Sequence, residues 1–433
     1  MNRKILALAI PNIISNITVP LLGMVDLGIV GRLGDDALIG GIAVGGAVFN
    51  FLYWNFGFLR MGTSGFAAQA YGARDLREAA GVLVRALSVA GLVALLLWIL
   101  QQPLLEGALR LMDGSPQVEA AARRYFRVRI WAAPATLSLY AFTGWFIGMQ
   151  NSRIPMGISI GINLINIGCS LAAVRGFGMG IEGVALGTVA AQWSGVAMAL
   201  WVVRRYYGRF FDRNTWRRSG VLSWSVMRRF FQVNRDIFLR TVCLVSVFTY
   251  FTAASAGMGD TLLAVNTLML QLFTLFSYMM DGFAYAGEAL AGRYYGAGNR
   301  PMLHRAVRGL LGWGTALMLL FTVVYGVAGG RILALFTDSP AILAAAGDYA
   351  VWAVLVPACS FLAFLLDGIL VGITATAVMR NAMFVATALF FGGYLSVGAS
   401  FGNAGLWSAF LLFLFLRGAV QFGLSRRQIL GWM

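Results

Sequence analysis

The chain has 433 residues, is 59% hydrophobic and 12% charged, and has a mean hydropathy of +0.77. Water-soluble domains carry about twice that charged fraction, so a soluble globular fold is excluded. A net charge of +16 suits a nucleic-acid binder, but its distribution along the chain points to membrane topology instead.

Apolar runs near the ~20-residue spanning length recur throughout, at Ile5–Val30, Val82–Leu100 (interrupted only by Arg85), Ile158–Val174 and Leu310–Val327. The first run is too long and too polar for a cleaved leader, and no A-x-A-like site follows it, so it reads as a retained helix. It carries Asp26. At 100° per residue Asn12, Ser15 and Asp26 share one broad side, and Pro11 and Pro20 allow the helix to bend. A charge in the bilayer costs at least ~2.5–3.5 kcal/mol on insertion scales, so embedded ionisable residues mark candidate sites. Next along the chain, Arg60 lies some four turns from Arg74, too deep to snorkel, and is expected to face a polar interior. The loop with Arg123, Arg124, Arg127 and Arg129 is placed outside despite its charge. Asn163 and Asn166, at i, i+3, are either interhelical hydrogen-bond glue or part of a coupling site.

A basic stretch with Arg209, Arg213, Arg217 and Arg218 follows, expected as a cytoplasmic linker near anionic lipid heads. Beyond it Arg240 stands four residues after Asp236, a spacing that predicts an i, i+4 pair. Asp281, Tyr285 and Glu288 fall at i, i+4, i+7 on one helical face, where two ionised carboxylates repel. Asp367 is the last acid, expected on the cavity side of the second half or paired with Arg240 or Arg60. Arg417 reads as a snorkelling residue near the end of the last helix. Gln192, Asn266 and Gln271 are weaker polar candidates. His304 reads as a solvated surface residue, and Cys169, Cys243 and Cys359 as isolated small core residues; neither a metal site nor a disulfide is expected.

Basic clusters at Arg3/Lys4, Arg74/Arg77, Arg204–Arg235, Arg293–Arg308 and Arg426/Arg427 alternate with acids at Asp35, Asp36, Glu106, Asp113, Glu182, Asp260 and Asp338. This positive-inside pattern puts both termini in the cytoplasm and implies about twelve crossings. The chain also echoes itself. NRKIL, FLYWNFGF and AQAYGARD return in order as NRDIF, FSYMMDGF and GRYYGAGN, and Pro134 before GWFIG returns as Pro357 before DGILVG, at offsets of roughly 220–230 residues. The expected fold is an all-α polytopic membrane protein with twelve transmembrane helices in two pseudo-symmetric six-helix lobes. The lobes are 1–207 and 231–433, joined by a basic linker at 208–230 and related as parallel repeats.

These segments carry a family resemblance. MVDLGIVGRLG, GFLRMGTSGFAAQAYGARD, GWFIGMQNSRIP, NRDIFLR, MDGFAYAGEALAGRYYGAGN and LLDGILVGITATAVMRNAM resemble the multidrug and toxic compound extrusion (MATE) transporters, and within them the DinF branch. The resemblance implies alternating access around a central cavity, and export of amphipathic, often cationic compounds against a proton or sodium gradient, with no cofactor and no enzymatic step. It maps the family's first-helix aspartate onto Asp26 and second-lobe acids onto Asp281 and Asp367. Where many relatives have an aspartate after the Asn-containing run of the fifth helix, INIGCSL has Ser170, which weakens a sodium cage and favours protons.

The expected partners are therefore small amphipathic cations, protons or sodium, and membrane lipids, with no nucleic acid. The expected state is a monomer in the plasma membrane of a prokaryote. Asp26, Asn163 and Asn166 are the coupling candidates; Arg60, Arg240, Asp281, Tyr285, Glu288 and Asp367 are the substrate or second-lobe candidates. Two rivals are a lipid-linked precursor flippase, which needs a strongly basic cavity, and an intramembrane transferase, which needs an Asp-x-x-x-Asp type of metal cluster that the sequence lacks.

Overall fold

The computed structural model describes residues 1–31, 36–112, 114–211, 222–337 and 339–426, leaving aside the side chains of 19–22, 24 and 36. Asp35, Asp113, Asp338, Arg213, Arg217, Arg218 and Arg427 lie outside the described residues.

The helices run α1 (Asn2–Val30), α2 (Asp36–Asn55), α3 (Phe58–Gly72), α4 (Leu76–Ile99), α5 (Gln101–Met112), α6 (Pro116–Arg129), α7 (Ala133–Gly148), α8 (Arg153–Leu171) and α9 (Ile181–Val202). Then come α10 (Trp224–Ala256), α11 (Asp260–Gly296), α12 (Arg300–Leu333), α13 (Pro340–Gly372), α14 (Thr376–Ser396) and α15 (Gly402–Ser425). Among the described residues, 11 helical spans are long and apolar enough to cross a membrane; α2 joins α3 in one and α6 joins α7 in another. The 29 residues of α1 run unbroken through Pro11 and Pro20, long enough for one more. The chain is an all-α, multi-pass membrane protein.

It divides into two compact units, Ile14–Phe231 and Met1–Ile13 with Gln232–Met433, here the N-terminal and C-terminal units. The first turns of α1 thus belong to one unit and the rest to the other.

Close helix packing in the N-terminal unit depends on glycine. A Cβ at Gly45 on α2 would come within 2.6 Å of the Tyr125 ring on α6, and one at Gly41 within 2.5 Å of the Ala121 Cβ. This GxxxG spacing lets α6 sit against α2 and fixes where Tyr125 stands. On α7 a Cβ at Gly144 would strike the carbonyl oxygen of Arg60, and one at Gly148 would lie 2.7 Å from that of Ser64, so α7 packs directly on α3. Trp145 locks the next layer: its Nε1–H donates to the Ala79 carbonyl of α4 at 2.7 Å.

The C-terminal unit repeats this design on its own helices. Gly368 and Gly372 of α13 lie on the carbonyl oxygens of Ala284 and Glu288 of α11, with the same spacing along the chain as Gly144 and Gly148 over Arg60 and Ser64. The turns repeat as well. Arg74 (φ 59°) and Gly298 (φ 64°) are matched left-handed positions, each followed by a capping residue: Asp75 accepts from Glu78 N–H at 2.9 Å, and Asn299 accepts from Met302 N–H at 3.1 Å. Gln150 (φ 66°) and Thr374 (φ 56°) match likewise at the ends of α7 and α13. The sequence echoes are thus echoes of local structure.

Candidate functional site

Asp26 sits in the last turns of α1, 6% exposed, and its Oδ1 has no hydrogen-bond partner among the described residues. It lies within electrostatic reach of Arg129 and Tyr125 on α6. The Arg129 guanidinium donates to the Tyr125 hydroxyl and lies over the Phe49 ring at 5.0 Å and the Tyr125 ring at 5.3 Å. Tyr53 of α2 is a further neighbour of Arg129, and Tyr140 of α7 stands beyond it. The sequence reading counted Arg129 only as loop charge. At i+4 from Tyr125, with Tyr125 on the α2-facing side of α6, the guanidinium instead turns inward.

Asn166 of α8 is fully buried and donates to Thr188 Oγ1 of α9 at 3.1 Å. Its Oδ1 is unpartnered, as is Oγ of the fully buried Ser170 one turn on, which lies against Gly187. Asn163 donates to the Thr18 carbonyl of α1 at 3.1 Å, and the Thr18 and Ser159 hydroxyls are 3.2 Å apart, so α8 and α1 are tied by polar contacts. The N-terminal unit therefore holds buried, unpartnered oxygens on Asp26, Asn166 and Ser170. The Tyr53, Thr63 and Ser64 hydroxyls in the same unit are unpartnered as well, but Asp26 is the one ionisable carboxylate among them; buried polar atoms are normally satisfied, so such a group suits uptake of a proton, an ion or water. Arg60 is half-buried on α3 and acts electrostatically on Tyr140.

In the C-terminal unit, Asp367 of α13 is 4% exposed. Arg240 of α10 and Arg417 of α15 both bond to its Oδ2, while Gln421 donates to Oδ1 at 2.8 Å. Two sequence expectations are corrected here. Arg417 does not snorkel: α15 continues to Ser425, about two turns further, so Arg417 lies inside the bundle, 2% exposed, with its charge centre 5.4 Å over the Phe364 ring. Nor does Arg240 pair with Asp236 along α10. Asp236 instead accepts from Arg380 at 2.6 Å and Thr376 at 3.4 Å, both on α14, and from Arg235 at 3.4 Å. Of the weighed alternatives for Asp367, pairing with Arg240 is the one found.

Asp281, Tyr285 and Glu288 share α11 as spaced, with Glu288 buried and the other two half-buried; Asp281 is in electrostatic reach of Arg417 and Tyr278. Asn266, a weak candidate in sequence, is the centre of a separate buried lattice. It donates to Ser255 at 2.8 Å and Asn403 at 2.7 Å and accepts from Trp407 at 2.8 Å, which joins α10, α11 and α15. The loop arginines between α5 and α7 are largely neutralised: Arg123 pairs with Glu106 and, at 3.8 Å, Glu119, and Arg124 pairs with Glu182 at 3.4 Å.

Comparison with known proteins agrees with this picture. The MatE family model matches residues 11–171 and 237–391. The chain is 37% identical over 426 residues to the DNA damage-inducible protein F of Escherichia coli (strain K12), covering 97% of this chain and 91% of that one. It is 28% identical over 346 residues to the "Probable multidrug resistance protein NorM" of Pseudomonas syringae pv. tomato, covering 77% and 73%. Among solved structures, a MATE protein in the bent conformation superposes with a TM-score of 0.88 at 19% identity, covering 99% of this chain and 95% of that one. The Vibrio cholerae MATE transporter VcmN in its bent form gives 0.85 at 17% identity, covering 100% and 97%. The chain belongs to the MatE family, the group that its motifs resemble.

Proposed function

We propose that the protein is a secondary active multidrug efflux transporter that moves amphipathic cations out of a prokaryotic cell by alternating access, in exchange for protons. It acts as a monomer in the plasma membrane, with both termini cytoplasmic and with lobes 1–207 and 231–433 joined by a basic linker at 208–230. The observation that supports this reading is Asp26: a buried carboxylate on a spanning helix whose Oδ1 has no partner among the described residues, in the same unit as further unpartnered oxygens on Asn166 and Ser170. A carboxylate kept dry and unsatisfied is costly as a structural element, which suits a group whose work is to take up and release an ion. Protonation cancels its charge, changes its hydrogen bonding and alters the packing of α1 against α2 and α6. Asn163 and Asn166 tie that change to α8. Asp281, Tyr285 and Glu288 of the second lobe are substrate contacts in this reading, as is Arg60 of the first lobe, and aromatic faces hold cations by cation–π attraction.

The test is ethidium movement in proteoliposomes under an imposed pH gradient, with and without sodium. Wild type should respond to the pH gradient alone, and Asp26→Asn should abolish the response while folding normally. Unchanged transport by the folded variant would remove Asp26 from the coupling role.

A further inference from the structure

Arg129 is the last residue of α6, where the helix gives way to a tight 3-10 turn at Ile130–Ala132. It makes no ion pair within 4 Å among the described residues; its partners are the Tyr125 hydroxyl and the faces of Phe49 and Tyr125. Two aromatic faces and a phenol hold a guanidinium in place without cancelling its charge. A guanidinium does not lose its proton, so this positive charge is permanent. The charged and titratable groups around Arg129 are Asp26 from α1, Tyr53 from α2 and Tyr125 on α6 itself.

We propose that Arg129 determines which ion the Asp26 pocket takes: as a built-in cation it keeps metal ions out and leaves the proton as the ion that couples. This rests on the reading of Asp26 given above. The oxygens left open in the unit, on Asp26, Asn166 and Ser170, look like the start of a cation cage, but only one of them is a carboxylate. A monovalent metal ion needs several oxygen ligands and gains little from each. Here the Tyr125 hydroxyl already accepts from the Arg129 guanidinium, so a cation at that oxygen would sit beside a positive charge. A fixed positive charge in electrostatic reach of Asp26 weakens cation binding there by about tenfold or more. A millimolar sodium site weakened by that factor moves to about 10 mM or beyond. A proton forms a covalent O–H bond and meets the same factor as about one unit of pH.

The experiment measures sodium binding directly. The full-length protein is purified in detergent, and radioactive sodium binding is followed for wild type, Arg129→Gln, Arg129→Lys, and Arg129→Gln combined with Asp26→Asn. Wild type and Arg129→Lys should show no saturable sodium binding below about 10 mM. Arg129→Gln should gain it, with affinity at least about tenfold tighter, and Asp26→Asn should remove the gain. A role for Arg129 in packing alone predicts loss of folding, not a new ion site that the lysine variant lacks. Asp26-dependent sodium binding below about 10 mM by wild type or by Arg129→Lys overturns the proposal, as does a folded Arg129→Gln that binds none. If Arg129→Gln fails to fold, Arg129→Met takes its place, with the same gain of Asp26-dependent sodium binding expected and a folded variant that binds none overturning the proposal. Proton coupling is judged separately: if wild type does not move ethidium under a pH gradient, the functional reading fails whatever the sodium data show.

Discussion

The two halves follow one helical plan with different mechanics. In the N-terminal unit three spanning segments are interrupted: between α2 and α3 at Phe56–Gly57, between α4 and α5 at Leu100, and between α6 and α7 at Ile130–Ala132. Their counterparts α11, α12 and α13 run unbroken for 37, 34 and 33 residues. Glycine alone does not explain the first break, since Gly57 in FLYWNFGF is echoed by Gly282 within the continuous α11. Pro103 lacks an N–H and clashes with the carbonyl four residues back, on Ile99, which is where α4 ends. The N-terminal unit also carries π-turns at Ala172–Gly176 and Val203–Tyr207. Charge differs in step with backbone: the interrupted unit holds Asp26 with an unpartnered oxygen, and the continuous unit holds Asp367 clamped by Arg240, Arg417 and Gln421. The unpartnered carboxylate thus belongs to the unit with interrupted helices, and the one that ties three helices together belongs to the unit with continuous ones.

Substituting the two acids should split this comparison most widely. Asp367→Asn leaves two buried guanidiniums without a counter-charge and should cost about 3–5 kcal/mol, read as a large fall in the thermal midpoint and in yield. Replacing Arg417 with Met in that background should recover part of the loss, since it removes one unpaired charge. Asp26→Asn should leave the thermal midpoint unchanged or higher, because no hydrogen bond to Oδ1 is lost. Equal losses from the two substitutions would mean that Asp26 is a structural acid like Asp367.

Packing should instead make the halves behave alike. Gly144→Ala and Gly368→Ala each push a methyl group into a backbone carbonyl, of Arg60 and Ala284 respectively, which no side-chain rotation relieves. Each should destabilise by about 1–3 kcal/mol. A harmless Gly144→Ala beside a damaging Gly368→Ala would show that the interrupted unit absorbs strain by shifting α3.

Much of this was legible in the sequence, and the omissions share a cause. The repeat was visible in YGARD and YYGAGN because turns and caps demand particular residues at particular spacings, and Asp26 was visible because any acid in an apolar run is conspicuous. Arg129 was hidden because it ends a helix in a cluster of four arginines, and only the Gly41–Gly45 contact that seats Tyr125 shows which of them faces inward. Arg417 was misjudged because the length of the last helix, not its composition, decides whether its charge reaches water. Asp367 was recognised as special and Arg240 was among its possible partners, but Arg417 and Gln421 come from the last helix, and no local pattern announces that meeting.

The matched caps allow a finer comparison. Asp75→Ala and Asn299→Ala each remove an acceptor from a first-turn N–H, and each should cost about 1 kcal/mol by thermal unfolding. Because both caps follow a left-handed residue, Arg74 in one half and Gly298 in the other, Arg74→Gly should stabilise the first half slightly, while Gly298→Arg should destabilise the second.

The smallest difference lies in α5, whose Glu106 pairs with Arg123 of α6. That guanidinium bonds both carboxylate oxygens, the second at 2.9 Å, and holds Glu106 below the usual carboxylate range, assisted by Arg110 and Arg127. A group whose folded value is depressed adds stability above its unfolded value and loses it as acid protonates the folded form. The midpoint gap between wild type and Glu106→Gln should therefore be present at neutral pH, hold to about pH 5, and close below about pH 4. The pair is exposed to solvent, so the gap should be small and should shrink further in high salt. A gap that widens on acidification would mean that Glu106 supports the interrupted unit through something other than its charge, and that α5 is held to α6 by packing alone.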